Sequence, residues 1–460
     1  MKHHVIRFTI CAAAAALLAA CNGSVNDDEN FFVLTSRAST SAAKTQSNGP
    51  SARPVITPNG RYLVFESRAT NIAAGDTNNK TDIFRKDLVT GAVIIVSVDS
   101  TGTQANGDST RPAVTPDGRF VAFESVATNL IPLVPGDTNA VADIYVRDIE
   151  GGTTVRASLS DAETEGNAES LRPDISEDGR FVVFDTFSVL SPVDGGNDSD
   201  VYVRDLLLET TTLVSVTPGG GDAGGDSARA CISNDGTLIG FDSTSANLLA
   251  AGQDTNGTAD VFVVTWQAPV PITERISVEH PTNPDEDLDG ENPDGSSFRP
   301  EFSADARFVV FISDADDLVP NDSNRGGGPL FITDIFSRDR ALGTTARVSI
   351  STQGGEPTRS CLEPSISADG RWVVFTSESA DLIQGDTNNT ADIYLRDTVA
   401  GTTIRVSVAT YGVQGADFFP SVTGTISGDG RIVAFASSAP NLAPNDTNGL
   451  VDLFMRGPLY

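Results

Sequence analysis

Short apolar runs rich in Val, Ile, Phe and Tyr recur along most of the chain, separated by stretches of Gly, Asn, Asp and Ser. The runs predict β-strands and the separating stretches predict turns. One unit, close to RPxIS-xDGRxVxFxS-GDTNxxADIYxRD-TTxRVSV, occurs seven times. Its first turn falls at Asn59, Asp117, Asp178, Asp235, Asp305, Asp369 and Asp429, so consecutive copies are 57 to 70 residues apart. Self-similarity at a steady period indicates a repeat architecture.

Each copy contains four predicted strands, which we name A to D in chain order. In the second copy they are RPAVT, RFVAFES, DIYVRD and TTVRASL, with an Asp-Gly between A and B that is typical of a tight hairpin. Runs such as FVVF are apolar at consecutive positions, as expected for a sheet covered on both faces. Seven units of four antiparallel strands predict an all-β fold, a seven-bladed β-propeller.

The two ends of the repeat region predict how the ring closes. The last copy stops at VDLFMRGPLY, after strand C, and the early segment NFFVLTSRAST has the pattern of a strand D. We therefore expect residues 31–36 to join the last blade. This pairing removes the open sheet edges that a linear array would expose.

The first residues have the pattern of a targeting signal. Lys2 and Arg7 precede the apolar run FTICAAAAALLAA, which is too short for a permanent membrane span and ends in LAAC at Cys21. LAAC resembles the lipobox of bacterial lipoproteins, which implies lipid attachment at Cys21; an ordinary secretory signal is the alternative. The predicted organisation is a signal peptide over residues 1–20, a tether over 21–30 and the propeller over 31–460. Asn22 is similar to the enteric sorting signal for the outer membrane, so we expect a cell-envelope protein anchored by lipid alone.

Charge narrows the range of partners. Asp and Glu outnumber Lys and Arg by 62 to 31, for a formal net charge of −31. Such a surface repels nucleic acid and anionic lipid headgroups, so neither is an expected partner. Cys231 and Cys361 are the thiols that follow Cys21, and their spacing leaves a disulfide open.

The motifs SxDGRxVxFxS and DIYxRD resemble those of TolB-like, WD-like propeller repeats over nearly the whole mature chain. The resemblance implies the fold and says little about function, because the fold hosts enzymes, scaffolds and lectins. Within this family, the TolB pattern is that of a periplasmic protein with six blades and an extra N-terminal domain. Here we count seven units and expect no such domain, which argues against a TolB-specific role.

The GDTN loops between strands B and C are candidate metal ligands. Asp76, Asn78 and Asp82 have the 1-3-7 spacing of calcium loops, as do the residues Asp386, Asn388 and Asp392. The copy at Asp194 lacks the Asn. An Asx turn at the Asp, with the Asn in a left-handed conformation, explains the same residues without metal, as a turn that every blade needs.

A second candidate occurs once, in the insertion NPDEDLDGENPDG between copies four and five. Asp285, Asp287 and Asp289 match the first half of an EF-hand-type loop, and Asp294 is a substitute for its missing second half. Ca²⁺ is therefore the one cofactor that the sequence suggests. A solvated acidic loop is the alternative.

The start of strand A carries Arg in the first five copies. These candidate residues are Arg53, Arg111, Arg172, Arg229 and Arg299. Next to a central channel they form a ring that suits a carboxylate or phosphate ligand. The alternative is structural ion pairs between blades with Glu66, Glu124, Asp185 and Asp242.

Departures from the repeat are the better guide to a binding site, because a ligand needs asymmetric chemistry. The sixth copy has Glu363 in place of the Arg, and the connection before the seventh copy carries Tyr411, Phe418 and Phe419. Aromatic side chains of this kind anchor protein partners or stack on sugars, and they also serve in packing.

No nucleophile elbow, zinc-protease motif or phosphate-binding loop occurs, so no catalytic residue is assigned. The leading interpretation is a non-catalytic, lipid-anchored envelope propeller that binds a protein partner through its D–A and B–C loops, assisted by calcium if the acidic loops bind it. The first alternative is a glycan-binding propeller. The second is a carboxylate-based glycosidase or lyase, which needs only Asp or Glu.

Overall fold

In a computed structural model, the protein is built from β-strands. The structure describes residues 33–131, 136–196, 198–268, 270–281, 292–323 and 332–459. The innermost strands A of blades 1 to 7 are β2 (Ser51–Ile56), β6 (Ser109–Val114), β10 (Ser170–Ile175), β14 (Ser227–Ile232), β18 (Ser297–Phe302), β22 (Cys361–Ile366) and β26 (Ser421–Ile426). Strands B are β3 (Tyr62–Ser67), β7 (Phe120–Ser125), β11 (Phe181–Thr186), β15 (Leu238–Ser243), β19 (Phe308–Ser313), β23 (Trp372–Ser377) and β27 (Val433–Ser437).

Strands C are β4 (Asp82–Asp87), β8 (Asp143–Asp148), β12 (Asp200–Asp205), β16 (Asp260–Thr265), β20 (Asp334–Asp339), β24 (Asp392–Asp397) and β28 (Asp452–Gly457). Strands D of blades 1 to 6 are β5 (Val93–Ile95), β9 (Thr153–Arg156), β13 (Thr210–Leu213), β17 (Ile272–Arg275), β21 (Thr344–Arg347) and β25 (Thr402–Arg405). Every sheet is antiparallel and ordered A-B-C-D, so the predicted seven-bladed propeller is confirmed.

The strand D of blade 7 comes from the other end of the chain. It is β1 (Leu34–Arg37), which pairs with β28 from Leu34 opposite Gly457 to Arg37 opposite Phe454. The predicted closure of the ring is therefore confirmed. Within the described residues, no helix is long and apolar enough to cross a membrane.

The hydrophobic core lies between the blades. All six residues of β11 and all six of β12 are buried, because a middle strand is covered on both faces by neighbouring blades. One cluster joins Val183 and Val203 of blade 3 to Ile239 and Phe262 of blade 4. Stacking aromatic pairs between strands B and C fill the blades themselves, with ring centroids about 6 Å apart, as in Phe123 with Tyr145.

The recurring DGR and RD motifs are explained by contacts inside the blade. In blade 2, Gly118 has a φ of +76°, and a Cβ there would lie 2.3 Å from Tyr62 Cδ2 of blade 1, so the turn requires glycine. Arg119 Nη2 lies 2.6 Å from Asp148 Oδ2 at the end of strand C. The hydrogen bond from Arg119 is the main reason that the pKa of Asp148 falls to about 2.

Cys231 and Cys361 are free thiols, and both are buried. Burial raises the pKa of each thiol, which keeps both protonated at neutral pH.

Candidate functional site

The B–C and D–A loops meet on one face of the ring, which we call the loop face. Asn78 Nδ2 in a B–C loop donates to the carbonyl of Ala105 in the next D–A loop, at 3.0 Å. The A–B turns form the opposite face and bond to one another between blades, as where the Gly428 amide donates to the Pro58 carbonyl at 2.9 Å. The B–C and D–A connections of the loop face are longer than the A–B turns of the opposite face.

Strands A line a central cavity of about 530 Å³. A bulge in each strand A places one residue at a φ between +47° and +55°, and these residues are Arg53, Arg111, Arg172, Arg229, Arg299, Glu363 and Thr423. The bulge turns the side chain at this position toward the cavity. The arginine ring predicted from the sequence therefore lies on the channel.

Acidic partners hold these arginines. Arg111 Nη1 lies 3.1 Å from Glu124 Oε1 of its own blade, and the Arg111 amide donates to Glu66 Oε2 of the preceding blade at 2.9 Å. The side-chain pairs with Glu66, Glu124, Asp185 and Asp242 thus form within a blade, while the backbone contact links neighbouring blades. Arg299 differs because its partner is Glu363 of blade 6.

Two further acids of strand A face the same cavity. Asp174 Oδ2 accepts the Ile232 amide at 2.9 Å, and Glu301 Oε1 accepts the Ile366 amide at 3.1 Å, so each also bonds to the next strand A that lines the channel. Burial raises the pKa of Asp174 to about 6 and that of Glu301 to about 7. The sequence pattern did not single out either residue, because the other blades have different residues at this position.

The GDTN loops build a pocket on the loop face of each blade, which we call the carboxylate pocket. It consists of the loop Asp, the first Asp of strand C, the last residue of strand D and the D–A loop residue that closes the hairpin at the start of that loop, as Gln414 does by bridging to Val408. In blade 6 these are Asp386, Asp392, Arg405 and Gln414. Arg405 Nη1 lies 2.9 Å from Asp386 Oδ1 and 3.0 Å from Asp392 Oδ2, so a guanidinium stands where a metal ion was a candidate.

The same arginine occurs in five blades. Arg156, Arg275, Arg347, Arg405 and Arg37 occupy the pockets of blades 2, 4, 5, 6 and 7. The Asn of GDTN shapes the loop: in blade 1, Asn78 Oδ1 accepts the Lys80 amide at 2.9 Å. The turn is an Asx turn, but the Asn forms it and not the loop Asp as expected, and the left-handed residue is Asn79, with a φ of +55°.

Blades 1 and 3 lack the arginine, because Ile95 and Leu213 stand at its position in the register. Burial raises the pKa of Asp82 in blade 1 to about 6 and is also the main cause of the rise to about 7 at Asp200 in blade 3. Asp194, Asp200 and Asp222 converge in blade 3, each with a carboxylate oxygen within 4.8 Å of the other two. Comparing the copies of TTxRVSV would have revealed both exceptions, since copies one and three read VIIVS and TTLVS there.

The acidic insertion is partly outside the described residues. Asp285, Asp287 and Asp289 lie there, as does Cys21. Asp294 is described: its amide donates to Asp317 Oδ2 at 2.8 Å, and its Oδ1 accepts the Asp316 amide at 3.0 Å. Burial, with Asp294 nearby, raises the pKa of Asp317 to about 8.

The predicted aromatic residues lie in one connection of the loop face. This D–A loop runs from the outermost strand of blade 6 to the innermost strand of blade 7 and carries Tyr411, Phe418 and Phe419. Tyr411 is 88% exposed and Phe418 is 81% exposed. Phe418 also has a φ of +66°, which is an outlier for a bulky side chain.

No protein-family model matches the chain, and no curated protein sequence does. Solved structures do match. An oligogalacturonate lyase from Vibrio parahaemolyticus has a TM-score of 0.52 at 13% identity, over 94% of this chain and 95% of that one. The propeller domain of the Trilobed protease from Pyrococcus furiosus has a TM-score of 0.50 at 12% identity, over 88% of this chain and 95% of that domain.

TolB from Acinetobacter baumannii is also similar, with a TM-score of 0.41 at 15% identity over 78% of this chain. The matched part spans 63% of the length of that TolB chain. Identities this low concern the fold and carry no statement about activity. The chain is a seven-bladed β-propeller that shares its fold alone with propellers of otherwise different proteins.

Proposed function

We propose that the protein is a non-catalytic, lipid-anchored propeller of the cell envelope that binds a protein partner through its loop face. The lipid site is Cys21 and the membrane is the outer membrane. The observation that carries the proposal is the exposed aromatic connection between blades 6 and 7.

That connection departs from its counterparts in length. Six residues lie between the bridge residue Gln414 and the start of β26 at Ser421, whereas four lie between Gln104 and Ser109 at the same place between blades 1 and 2. The longer connection carries Phe418 and Phe419. The described connections that follow Gln46, Gln104, Glu165 and Asp222 have four residues each, so the fold itself does not require these two rings.

The hairpin at the start of the same connection differs from its counterparts in the polarity of the residues at its tip. Between blades 1 and 2 its tip is polar, and Thr101 Oγ1 donates to Asp99 Oδ1 at 2.7 Å. Between blades 6 and 7 the corresponding positions are Tyr411 and Ala409. Replacing a self-satisfied polar tip by an exposed aromatic ring is typical of a surface that a partner covers.

The backbone at Phe418 supports the same conclusion. A left-handed conformation at a non-glycine residue costs on the order of 1–2 kcal/mol, and it occurs here at a ring that makes no core contribution. Strain of this kind is concentrated at binding sites. An aromatic anchor set in an acidic surface suits a partner whose own patch is apolar with a basic rim.

The test is chemical crosslinking in intact envelopes with the lipidated protein as bait, followed by mass spectrometry. The double variant Phe418→Ala/Phe419→Ala is compared with wild type. Removing two interface aromatics is expected to abolish recovery of a specific partner, because such residues dominate interface energetics.

The matched control is Val399→Ala. Val399 is 75% exposed in the C–D turn of blade 6, on the opposite face. It is expected to keep the partner. Loss of the partner in both variants, or in neither, would contradict the assignment to the loop face.

Glycan binding is the second candidate, favoured by the same rings, because exposed aromatics also stack on sugars. Retention on immobilised polysaccharide that depends on Phe418, with no protein partner recovered, would favour it. A carboxylate-based glycosidase or lyase is supported only by Asp174 and Glu301 in the channel, and Glu301→Gln would abolish such turnover while leaving partner recovery unchanged.

A further inference from the structure

The carboxylate pockets provide an internal comparison, because the chain contains seven versions of one structure. In each version the first Asp of strand C has two distinct oxygens. Its Oδ1 accepts a serine hydroxyl, as from Ser158 to Asp143 at 2.6 Å and from Ser215 to Asp200 at 2.6 Å. Its Oδ2 faces the arginine, as from Asp143 to Arg156 at 3.1 Å.

Five pockets thus hold a cation that the chain itself supplies. Blade 2 is the closest match to blade 3, because three acids, Asp137, Asp143 and Glu165, surround one guanidinium. Arg156 Nη1 lies 3.1 Å from Asp143 and 2.8 Å from Glu165. The positive charge compensates the buried carboxylates, which would otherwise be costly.

Blade 3 keeps the three acids without the arginine. Leu213 occupies its place, and Asp194, Asp200 and Asp222 converge within 4.8 Å. Asp200 is only 2% exposed, and among the described residues no donor reaches its Oδ2. One carboxylate oxygen of an almost fully buried residue therefore has no donor among the described residues, while the other accepts the Ser215 hydroxyl.

We propose that the blade 3 pocket binds one divalent cation of the calcium class through Asp194, Asp200 and Asp222. All three ligands are carboxylates, and oxygen-only donor sets select hard cations such as Ca²⁺, Mg²⁺ and Mn²⁺. The ligands come from a B–C loop, a strand and a D–A loop, and this mixture permits the flexible coordination that Ca²⁺ accepts. The cation takes the position that the guanidinium has in the other blades.

Backbone contacts already orient the ligands. The Gly195 amide donates to Asp222 Oδ2 at 2.8 Å, and the Gly224 amide donates to Asp222 Oδ1 at 2.8 Å. The Gly196 amide donates to Asp194 Oδ1 at 2.6 Å, and the Tyr202 hydroxyl donates to Asp194 Oδ2. Hydrogen bonds of this kind hold metal ligands in place and sharpen affinity.

The pocket of blade 1 also lacks the arginine, but we expect it to bind a cation more weakly than the pocket of blade 3. Asp82 is fully buried there and its Oδ2 has no hydrogen-bond partner among the described residues. Its third position is Gln104, which supplies an amide in place of a carboxylate. Fewer charged ligands mean lower cation affinity, so blade 3 is the site we assign.

The site is tested by titrating the mature chain with CaCl₂ in a calorimeter after treatment with a chelator. MgCl₂ and MnCl₂ are the comparison ions. Tb³⁺ serves as a luminescent substitute for Ca²⁺, because the Tyr202 ring next to Asp194 can sensitise its emission. We expect a Ca²⁺-binding event that Asp222→Asn weakens strongly, and Tb³⁺ emission that Tyr202→Phe reduces.

The chain offers a matched pair of exchange variants. Leu213→Arg installs the arginine of blade 2 and is expected to abolish the blade 3 event. Arg156→Leu removes that arginine and is expected to add a second event. If Leu213→Arg and Asp222→Asn both bind Ca²⁺ as wild type does, the proposal is wrong.

The acidic insertion is the competing location. A triple variant with Asn at Asp285, Asp287 and Asp289 is expected to retain the blade 3 event. Loss of all binding in that variant would move the cation site to the insertion and overturn the assignment.

Discussion

Arg405 illustrates what single residues contribute in this protein. Its side chain is 8% exposed and contacts Asp386 and Asp392 at about 3 Å. Both carboxylates are buried in the pocket, so their charges depend on the guanidinium rather than on water. Arg61, by contrast, makes its contact with Asp87 from a half-exposed position at the edge of the opposite face.

We expect Arg405→Leu to lower the free energy of unfolding by roughly 3–5 kcal/mol, the usual cost of leaving buried charges uncompensated. Arg61→Leu is expected to change it by less than about 1 kcal/mol, because exposed ion pairs contribute little. Urea unfolding with a chelator present measures both. Equal effects of the two substitutions would show that the pocket arginine is not buried as described.

At the scale of elements, β1 is the strand that closes the ring. It supplies the fourth strand of blade 7 and brings the two ends of the chain together. Thr35 Oγ1 also donates to the Val408 carbonyl of the preceding connection at 2.6 Å, and Arg37 enters the blade 7 pocket. Without β1, strand β28 would present an unpaired edge.

We expect a chain that begins at residue 38 to have a lower melting temperature and to self-associate through that edge. A chain that begins at residue 31 keeps β1 and is the control. Thermal unfolding and size-exclusion chromatography measure the two effects. A peptide of residues 31–40 added in trans should restore the stability, and unchanged melting of the shorter chain would contradict the role of β1.

At the scale of the whole molecule, acidic residues outnumber basic ones, and several of the carboxyl groups have raised pKa values. Burial is the first cause at Asp174, Glu301 and Asp317, whose pKa values rise to about 6, 7 and 8. A raised pKa means that the folded state favours the protonated form. Its contribution to stability is complete below the unfolded pKa, near 4, and is lost as the pH rises through the folded pKa.

We therefore expect the melting temperature to fall as the pH rises from about 5 to about 8. Below about pH 3 it should fall as well, because ion-paired groups such as Asp148 have lowered pKa values and lose their contact on protonation. Differential scanning calorimetry across this range measures the profile.

Glu301→Gln identifies one contributor to that profile, since glutamine resembles the neutral acid. The variant is expected to match wild type near pH 5 and to exceed it near pH 8. A wild-type melting temperature that rises from pH 5 to pH 8 would contradict the assignment of these carboxyls.

The sequence by itself determined the fold, because each blade is specified locally. Strand runs, Asp-Gly turns and a steady period act over neighbouring residues, and the missing strand D at one end matched the extra strand at the other. The location of Tyr411 and Phe418 in one broken connection was also predictable, whereas the sequence left open whether the two rings are packed or exposed.

Only the tertiary structure decided what the repeated polar residues do. The GDTN acids are followed by a strand-D residue some twenty positions later, and which of them shares a pocket with an arginine depends on contacts between loops distant in the chain. Local spacing matched a calcium loop in blades where a guanidinium stands, and it failed to match in blade 3, where three carboxylates converge without one. Charge compensation is a property of three-dimensional proximity, so a linear pattern could raise the question of metal binding but could not show which pockets contain a guanidinium.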